Sequence, residues 1–278
     1  MLAFLLVMPS CTGLFYQPSG MLYATPVAAG LPYREYQFTA PNGELLGGWW
    51  IPAAEGMEEK GTIIHFHGNA QNMTSHFMNV EWLAKEGYNL FVFDYEGYGA
   101  SDGVATPGHV NGDALAALEA GIQITHEREG QIGRRLKVIA YGQSLGGAAL
   151  LRALPDLINK ERLSGVIEES GFYSYRTIAR QRLAQRWFTW PVQWLAPLLV
   201  SDEYFPEEHI ASIAPLPLLV VHGDADMVVP VSHGRKIFDL ARDPKEYWEI
   251  PGGGHINAFY VNGGAYRPKL LGWLAALP

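Results

Sequence analysis

The stretch Val138-Ile-Ala-Tyr-Gly-Gln-Ser-Leu-Gly-Gly-Ala-Ala-Leu-Leu151 leads from an apolar run through a turn into small and apolar residues at helical density. A short apolar run, a glycine-flanked serine and a helix-forming segment read as strand, sharp turn and helix. Ser144 is then either a nucleophile presented on the turn or the polar cap of the helix. Glycines two residues before and two after it, Gly142 and Gly146, let strand and helix approach closely while the serine backbone is strained. The turn also aims helix-start N–H groups at whatever lies beside Ser144 Oγ. The pentapeptide alone specifies the turn and not the reaction.

Working outward, the same strand–loop–helix pattern recurs. Strands are predicted at Thr62–His65, Asn89–Phe93, Leu136–Tyr141, Val166–Glu169, Leu218–Val221 and Glu246–Ile250. Helices are expected at about Thr74–Glu86, His109–His126, Leu145–Leu154, Ser232–Ala241 and Arg267–Ala276. Short apolar strands alternating with helices imply a mostly parallel sheet covered on both faces. Ahead of them, Tyr33–Phe38 and Leu45–Ile51 alternate around Pro41-Asn42-Gly43, the pattern of an antiparallel hairpin. The expectation is one α/β domain over residues 33–278 with an eight-stranded sheet. Almost fifty residues separate the strand ending near Glu169 from that starting near Leu218, too many for a plain crossover. A small helical cap insertion is expected there, at about 171–214. If its middle is helical, Trp187, Trp190 and Trp194 share one face. That face either packs on the sheet or lines an acyl pocket or meets a membrane.

The chain has 278 residues, 48% hydrophobic and 17% charged, with net charge −8 and no run of Lys or Arg. A sizeable core follows, and nucleic acid as the main partner is excluded, because duplex binding needs many phosphate-neutralising cations. The lone cysteine, Cys11, rules out an internal disulfide framework and a Cys-based zinc knuckle. Residues 1–32 form an apolar start and an irregular lead-in. Met1–Met8 would reach only about 12 Å as a helix against roughly 30 Å of hydrocarbon, so it is no membrane span. It reads as the end of a signal-type apolar region. A small residue before the cysteine resembles a bacterial lipoprotein cleavage site, with Cys11 lipidated and the protein anchored in the cell envelope. No Lys or Arg precedes the run, and Met8 and Pro9 depart from that pattern. The alternative is an apolar segment packed on a cytoplasmic domain, with Cys11 inert.

A serine needs a general base to attack a carbonyl at neutral pH. Of nine histidines, His255 in Pro251-Gly-Gly-Gly-His-Ile-Asn257 follows the last strand, at the edge where ligand chemistry of open α/β sheets gathers. His65 and His67 flank a strand end and suit structural roles. The base needs an acid to hold its tautomer. Val220-Val-His-Gly-Asp-Ala-Asp-Met-Val-Val-Pro230 offers two, Asp226 deeper in the loop and Asp224 beside the turn. Asp226 is the preferred partner, and Asp224 the better turn-holder. Two backbone N–H groups should form an oxyanion hole, one from Leu145 and one from Asn69 after Gly68.

The order Ser144, Asp226, His255, with His67-Gly-Asn-Ala70 after the third strand, resembles the α/β-hydrolase superfamily. Together with Phe93-Asp-Tyr-Glu-Gly-Tyr-Gly-Ala-Ser101 and Gly142-Gln-Ser-Leu-Gly146 it is similar to the BEM46-like branch, which also holds mammalian serine hydrolases of the ABHD type. The resemblance spans about residue 33 to the end. It implies the eight-stranded fold, a serine hydrolase without cofactor or metal, and an ester, thioester or amide substrate of small-molecule or lipid-like kind. Glu96 stands where a basic residue is frequent, and Gly171 where proline is. Transfer of the acyl group to an acceptor other than water, and a non-catalytic binding scaffold, are the competing expectations. A metal-dependent hydrolase built on His65, His67 and Asp94 is a further rival.

Overall fold

Five central segments of this chain carry apolar residues on both faces, which only a sheet covered on both sides can bury. The computed structural model, which describes residues 15–184, 190–201 and 203–278, builds them into one eight-stranded sheet. The strands are β1 (Arg34–Thr39), β2 (Leu45–Ile51), β3 (Gly61–Phe66), β4 (Tyr88–Phe93), β5 (Lys137–Gln143), β6 (Gly165–Glu169), β7 (Leu218–Gly223) and β8 (Lys245–Ile250). Their spatial order is β1-β2-β4-β3-β5-β6-β7-β8. β1 and β2 pair antiparallel, β2 pairs antiparallel with β4, and the remaining pairs are parallel. β3 through β7 are buried at every position but the first of β5, Lys137, whereas edge strand β1 alternates between exposed and half-buried positions.

Successive residues of a strand point to opposite faces, so the sheet feeds two cores. Ile64 and Phe66 join one, with residues of α2 (Pro107–Ile132), α3 (Leu145–Ala153) and α6 (Ser232–Leu240). Ile63 joins the other, under α1 (Met73–His76), two following 3₁₀ turns and α7 (Arg267–Ala276).

Two helices differ from the expectation. The expected single helix at Thr74–Glu86 is a four-residue α1 followed by 3₁₀ turns at Phe77–Asn79 and Glu81–Glu86. Phe77, Val80 and Leu83 are each at most 1% exposed, and at three residues per turn their spacing puts them in one line on the sheet. α2 extends beyond the expected span at both ends. Thr106 Oγ1 accepts from the His109 amide, Pro107 starts the first turn, and Gly133 at φ 70° ends the last.

Between β6 and β7 lie α4 (Tyr175–Ala184), a 3₁₀ stretch at Trp190–Leu195, α5 (Ala196–Leu199) and a 3₁₀ turn at Ile210–Ile213. Trp194 is 63% exposed. Trp187 lies outside the described residues, as does Cys11. Among the described residues no helix is long and apolar enough to cross a membrane.

Candidate active site

Ser144 occupies the one-residue turn between β5 and α3. Its backbone sits at φ 55° and ψ −119°, and its side chain makes no capping bond to the helix. A non-glycine residue there is strained by roughly 1–3 kcal/mol, and neighbouring contacts hold it. The Ser144 amide donates to the Glu169 carbonyl at 2.9 Å, and its own carbonyl accepts from the Ala148 amide at 3.2 Å. The flanking glycines are obligatory. A Cβ on Gly146 would stand 2.2 Å from the Phe66 carbonyl oxygen, and one on Gly142 would stand 2.6 Å from the Gly147 Cα.

His255 is carried on the loop that follows β8. This loop packs so tightly on the end of β7 that a Cβ on Gly223 would meet the Gly253 carbonyl oxygen at 2.2 Å. Asp224 Oδ1 accepts from the Gly252 amide at 2.7 Å, so its carboxylate holds the turn of the histidine loop. Asp226 reaches the ring instead, with His255 Nδ1 donating to Asp226 Oδ2 at 2.8 Å. On the far side of the ring, Ser144 Oγ donates to His255 Nε2 at 2.9 Å. Three residues separated by up to 111 positions therefore form one line of hydrogen bonds.

Asp226 is 7% exposed. Its Oδ1 accepts from the Val228 and Val229 amides, each at 2.8 Å. Burial by itself would raise this carboxyl, but hydrogen bonds from His222, His255 and the Val229 amide outweigh it. They hold the group well below the usual carboxylate range. The charge therefore persists beside His255 at neutral pH, where it can stabilise an imidazolium.

Behind this line lies a buried polar layer that local sequence reading did not single out. His222 Nε2 donates to the Val229 carbonyl at 2.9 Å and lies 3.5 Å from Asp226 Oδ2. Burial pulls the basicity of His222 down, yet Asp226, Glu168 and the Val229 carbonyl carry it above the ordinary value. Glu168 is pushed up to about 7, chiefly by burial, with Glu169 and Asp226 adding to the shift and His222 opposing it. Glu169 bridges two elements, accepting from Gln143 Nε2 at 2.7 Å and from the Ala258 amide at 3.0 Å. Consecutive acids at the end of a strand were the available signal. Their partners on β5 and β7 become visible only through the registers Gln143↔Glu169, Glu168↔Val220 and Glu169↔Val221.

Three other buried histidines are kept neutral. Burial pushes His65 down to about 3, and His76 and His233 down to about 4. His65 Nε2 bonds Gln143 Oε1 at 2.9 Å, and His67 Nδ1 donates to the Gly68 carbonyl at 2.7 Å, both structural roles. Among the described residues no group of three His, Cys, Asp or Glu is placed to hold a metal ion.

The loop after β3 lies against the serine, since a Cβ on Gly68 would be 3.4 Å from Ser144 Cβ. Asn69 is the next residue, and Leu145 opens α3 directly after Ser144. The structure thus brings Ser144, His255, Asp226, Leu145 and the Asn69 loop to one edge of the sheet.

Known proteins resemble this chain in sequence and in fold. The family model described as "Serine aminopeptidase, S33" matches residues 57–213. The uncharacterized protein YfhR of Escherichia coli (strain K12) is 36% identical over 267 residues, covering 94% of this chain and 86% of that protein. Protein bem46 of Schizosaccharomyces pombe is 26% identical over 243 residues, covering 87% of this chain and 75% of that protein. The Pyrococcus furiosus esterase Pf2001 superposes with a TM-score of 0.73 at 21% identity, covering 95% of this chain and 98% of that one. The chain belongs to this family of α/β-hydrolases.

Proposed function

We propose that the protein is a serine hydrolase cleaving carboxylic ester or thioester bonds through an acyl-enzyme. The observation that carries the proposal is the unbroken line from Ser144 Oγ through the His255 ring to Asp226, at 2.9 and 2.8 Å. In the first half-reaction, His255 Nε2 takes the Ser144 proton as Oγ attacks the substrate carbonyl carbon. Asp226 holds the proton on Nδ1 and stabilises the imidazolium. The carbonyl oxygen becomes an oxyanion facing the Asn69 and Leu145 amides. Collapse expels the alcohol or thiol, which takes the proton from Nε2. In the second half-reaction a water gives its proton to His255, attacks the acyl carbon and releases the acid, restoring Ser144.

An apolar acyl group is favoured by the surroundings of the site. A groove of about 330 Å³ lies beside α4, lined by Phe15, Ala179, Leu183, Leu199 and Val200. Its one charged wall residue, Arg182, donates to the carbonyl of Met227, the residue after Asp226. Met227 and Val228 present apolar side chains to solvent on the same loop, at 77% and 46% exposure.

The test is labelling by a fluorophosphonate, which phosphonylates only a serine activated by its base. The wild-type protein is expected to label and Ser144→Ala to remain unlabelled. Absence of labelling in folded wild-type protein would overturn the proposal. An ester that is turned over with release of its acid in water, rather than passed to an added alcohol, identifies hydrolysis over transfer.

A further inference from the structure

The Asn69 side chain points away from the chemistry expected of its backbone. Its Oδ1 accepts two hydrogen bonds, from the Gln17 amide at 2.8 Å and from the Tyr98 hydroxyl at 2.9 Å. Gln17 belongs to the lead-in that precedes β1, and Tyr98 to the loop after β4. The lead-in follows the Asn69 loop residue by residue. Pro18 forms a parallel bridge with Gln71, and the Ser19 amide donates to the Gln71 carbonyl at 3.1 Å. Asn72 Nδ2 donates to the Ser19 and Met21 carbonyls at 2.7 and 2.8 Å, and the Tyr23 amide donates to Thr74 Oγ1 at 3.0 Å. The Gly99 amide also reaches the Ser19 carbonyl, at 3.0 Å, so the lead-in is sewn to the Tyr98 loop as well.

This clamping falls where the backbone needs it. Ala70 and Gln71 are two successive non-glycine residues in the left-handed region, at φ 59° and 60°. Such residues persist only when their surroundings over-determine them. The turn they make directly follows Asn69, whose neighbour Gly68 lies against Ser144.

We propose that Tyr98 and the lead-in from Gln17 to Tyr23 are positioning elements of the oxyanion hole, acting through the Asn69 side chain and the Gln71 backbone. The proposal rests on the hydrolase reading above, with the Asn69 N–H as oxyanion donor. It assigns a catalytic purpose to the segment ahead of the sheet, and to a tyrosine hydroxyl that touches no substrate. The Tyr98 ring is separately held by its packing on His67 and Tyr95, so Tyr98→Phe removes the hydroxyl and leaves the ring contacts.

The experiment is a double-mutant cycle on a water-soluble ester, with Tyr98→Phe, Asn69→Ala and the pair. Asn69→Ala deletes the acceptor and keeps the backbone N–H. Each single change is expected to lower kcat by roughly tenfold, less than the 10²–10³ that follows loss of a whole oxyanion donor. KM should stay within about twofold, and a boronic acid whose adduct oxygen occupies the oxyanion hole should bind more weakly by the factor lost from kcat. The pair should be no slower than Asn69→Ala alone, because that change already removes the Tyr98 contact together with the Gln17 one. Unchanged kcat, or factors that multiply in the pair, would overturn the proposal. Thermal unfolding of each variant accompanies the kinetics. Should Tyr98→Phe fold poorly, Asn69→Ser at the half-exposed loop position reads the same contact. Wild-type protein that neither labels nor turns over ester would instead sink the hydrolase reading itself.

Discussion

Asp226→Asn exchanges one carboxylate oxygen for an NH₂ group and should disable the proposed base without disturbing the fold. Oδ1 of Asp226 accepts two backbone N–H groups, from Val228 and Val229, each at 2.8 Å. An amide in this place must keep its oxygen there, because an NH₂ facing two N–H donors would leave two buried donors unpaired. Each unpaired donor costs about 1–3 kcal/mol, so the preferred orientation is favoured by roughly 2–6 kcal/mol. The NH₂ then occupies the position of Oδ2, 2.8 Å from His255 Nδ1. That nitrogen must now accept, and its proton moves to Nε2, facing Ser144 Oγ. No lone pair is left to take the serine proton. Only the minority orientation is active, so kcat should fall about 30-fold to 10⁴-fold, at tenfold per 1.4 kcal/mol. The upper end meets the loss seen when an acid of this kind becomes an amide elsewhere. The assay is kcat/KM on a soluble ester, with the unfolding midpoint as a check on the fold. A loss below about tenfold in folded protein would refute the tautomer argument.

Gly146→Ala should destabilise the fold as well as the site, since its Cβ would meet the Phe66 and His67 carbonyl oxygens at 2.2 and 2.5 Å. Backbone cannot step aside as a side-chain tip can, so a loss of about 3 kcal/mol or more is expected, lowering Tm by roughly 6–12 °C; a wild-type midpoint in calorimetry would contradict this. A pH effect should arise away from the site, at the buried Asp113, whose Oδ2 accepts from the Glu96 amide at 2.9 Å. Burial, together with nearby Glu96, pushes this carboxyl up to about 8 from an ordinary value of 3.8. The folded state therefore binds the extra proton between those values. The stabilisation is complete below about pH 4 and fades as pH rises through about 8. Asp113→Asn should flatten the decline of the denaturant midpoint between about pH 4 and pH 8; equal slopes in both proteins would refute it.

Much of the fold was legible from short-range patterns. Strand positions follow from apolar runs bounded by turn residues, and α7 at Arg267–Ala276 coincides with its expected span. The helix expected at Thr74–Glu86 failed for a reason periodicity hides. A stripe at 77, 80 and 83 satisfies both an α-helical and a 3₁₀ reading, and contact with the sheet chose the tighter one. The expected cap face is open at Trp194, which is 63% exposed. Nothing in the spacing of tryptophans specifies which partner covers them.

By itself the sequence determined the turn at Ser144, the glycines that permit it, and the order serine, acid, histidine along the chain. These are consequences of steric limits and turn chemistry acting over a few residues. The tertiary structure supplied the contacts behind the expected division between the two aspartates, with Asp226 on the His255 ring and Asp224 on the Gly252 turn. It also decided that Glu168, Glu169 and His222 form a buried layer behind the site, and that the lead-in is clamped on the Asn69 loop. Those contacts join residues dozens to more than a hundred positions apart. Their partners are set by sheet register and loop packing, which no local pattern of residues encodes.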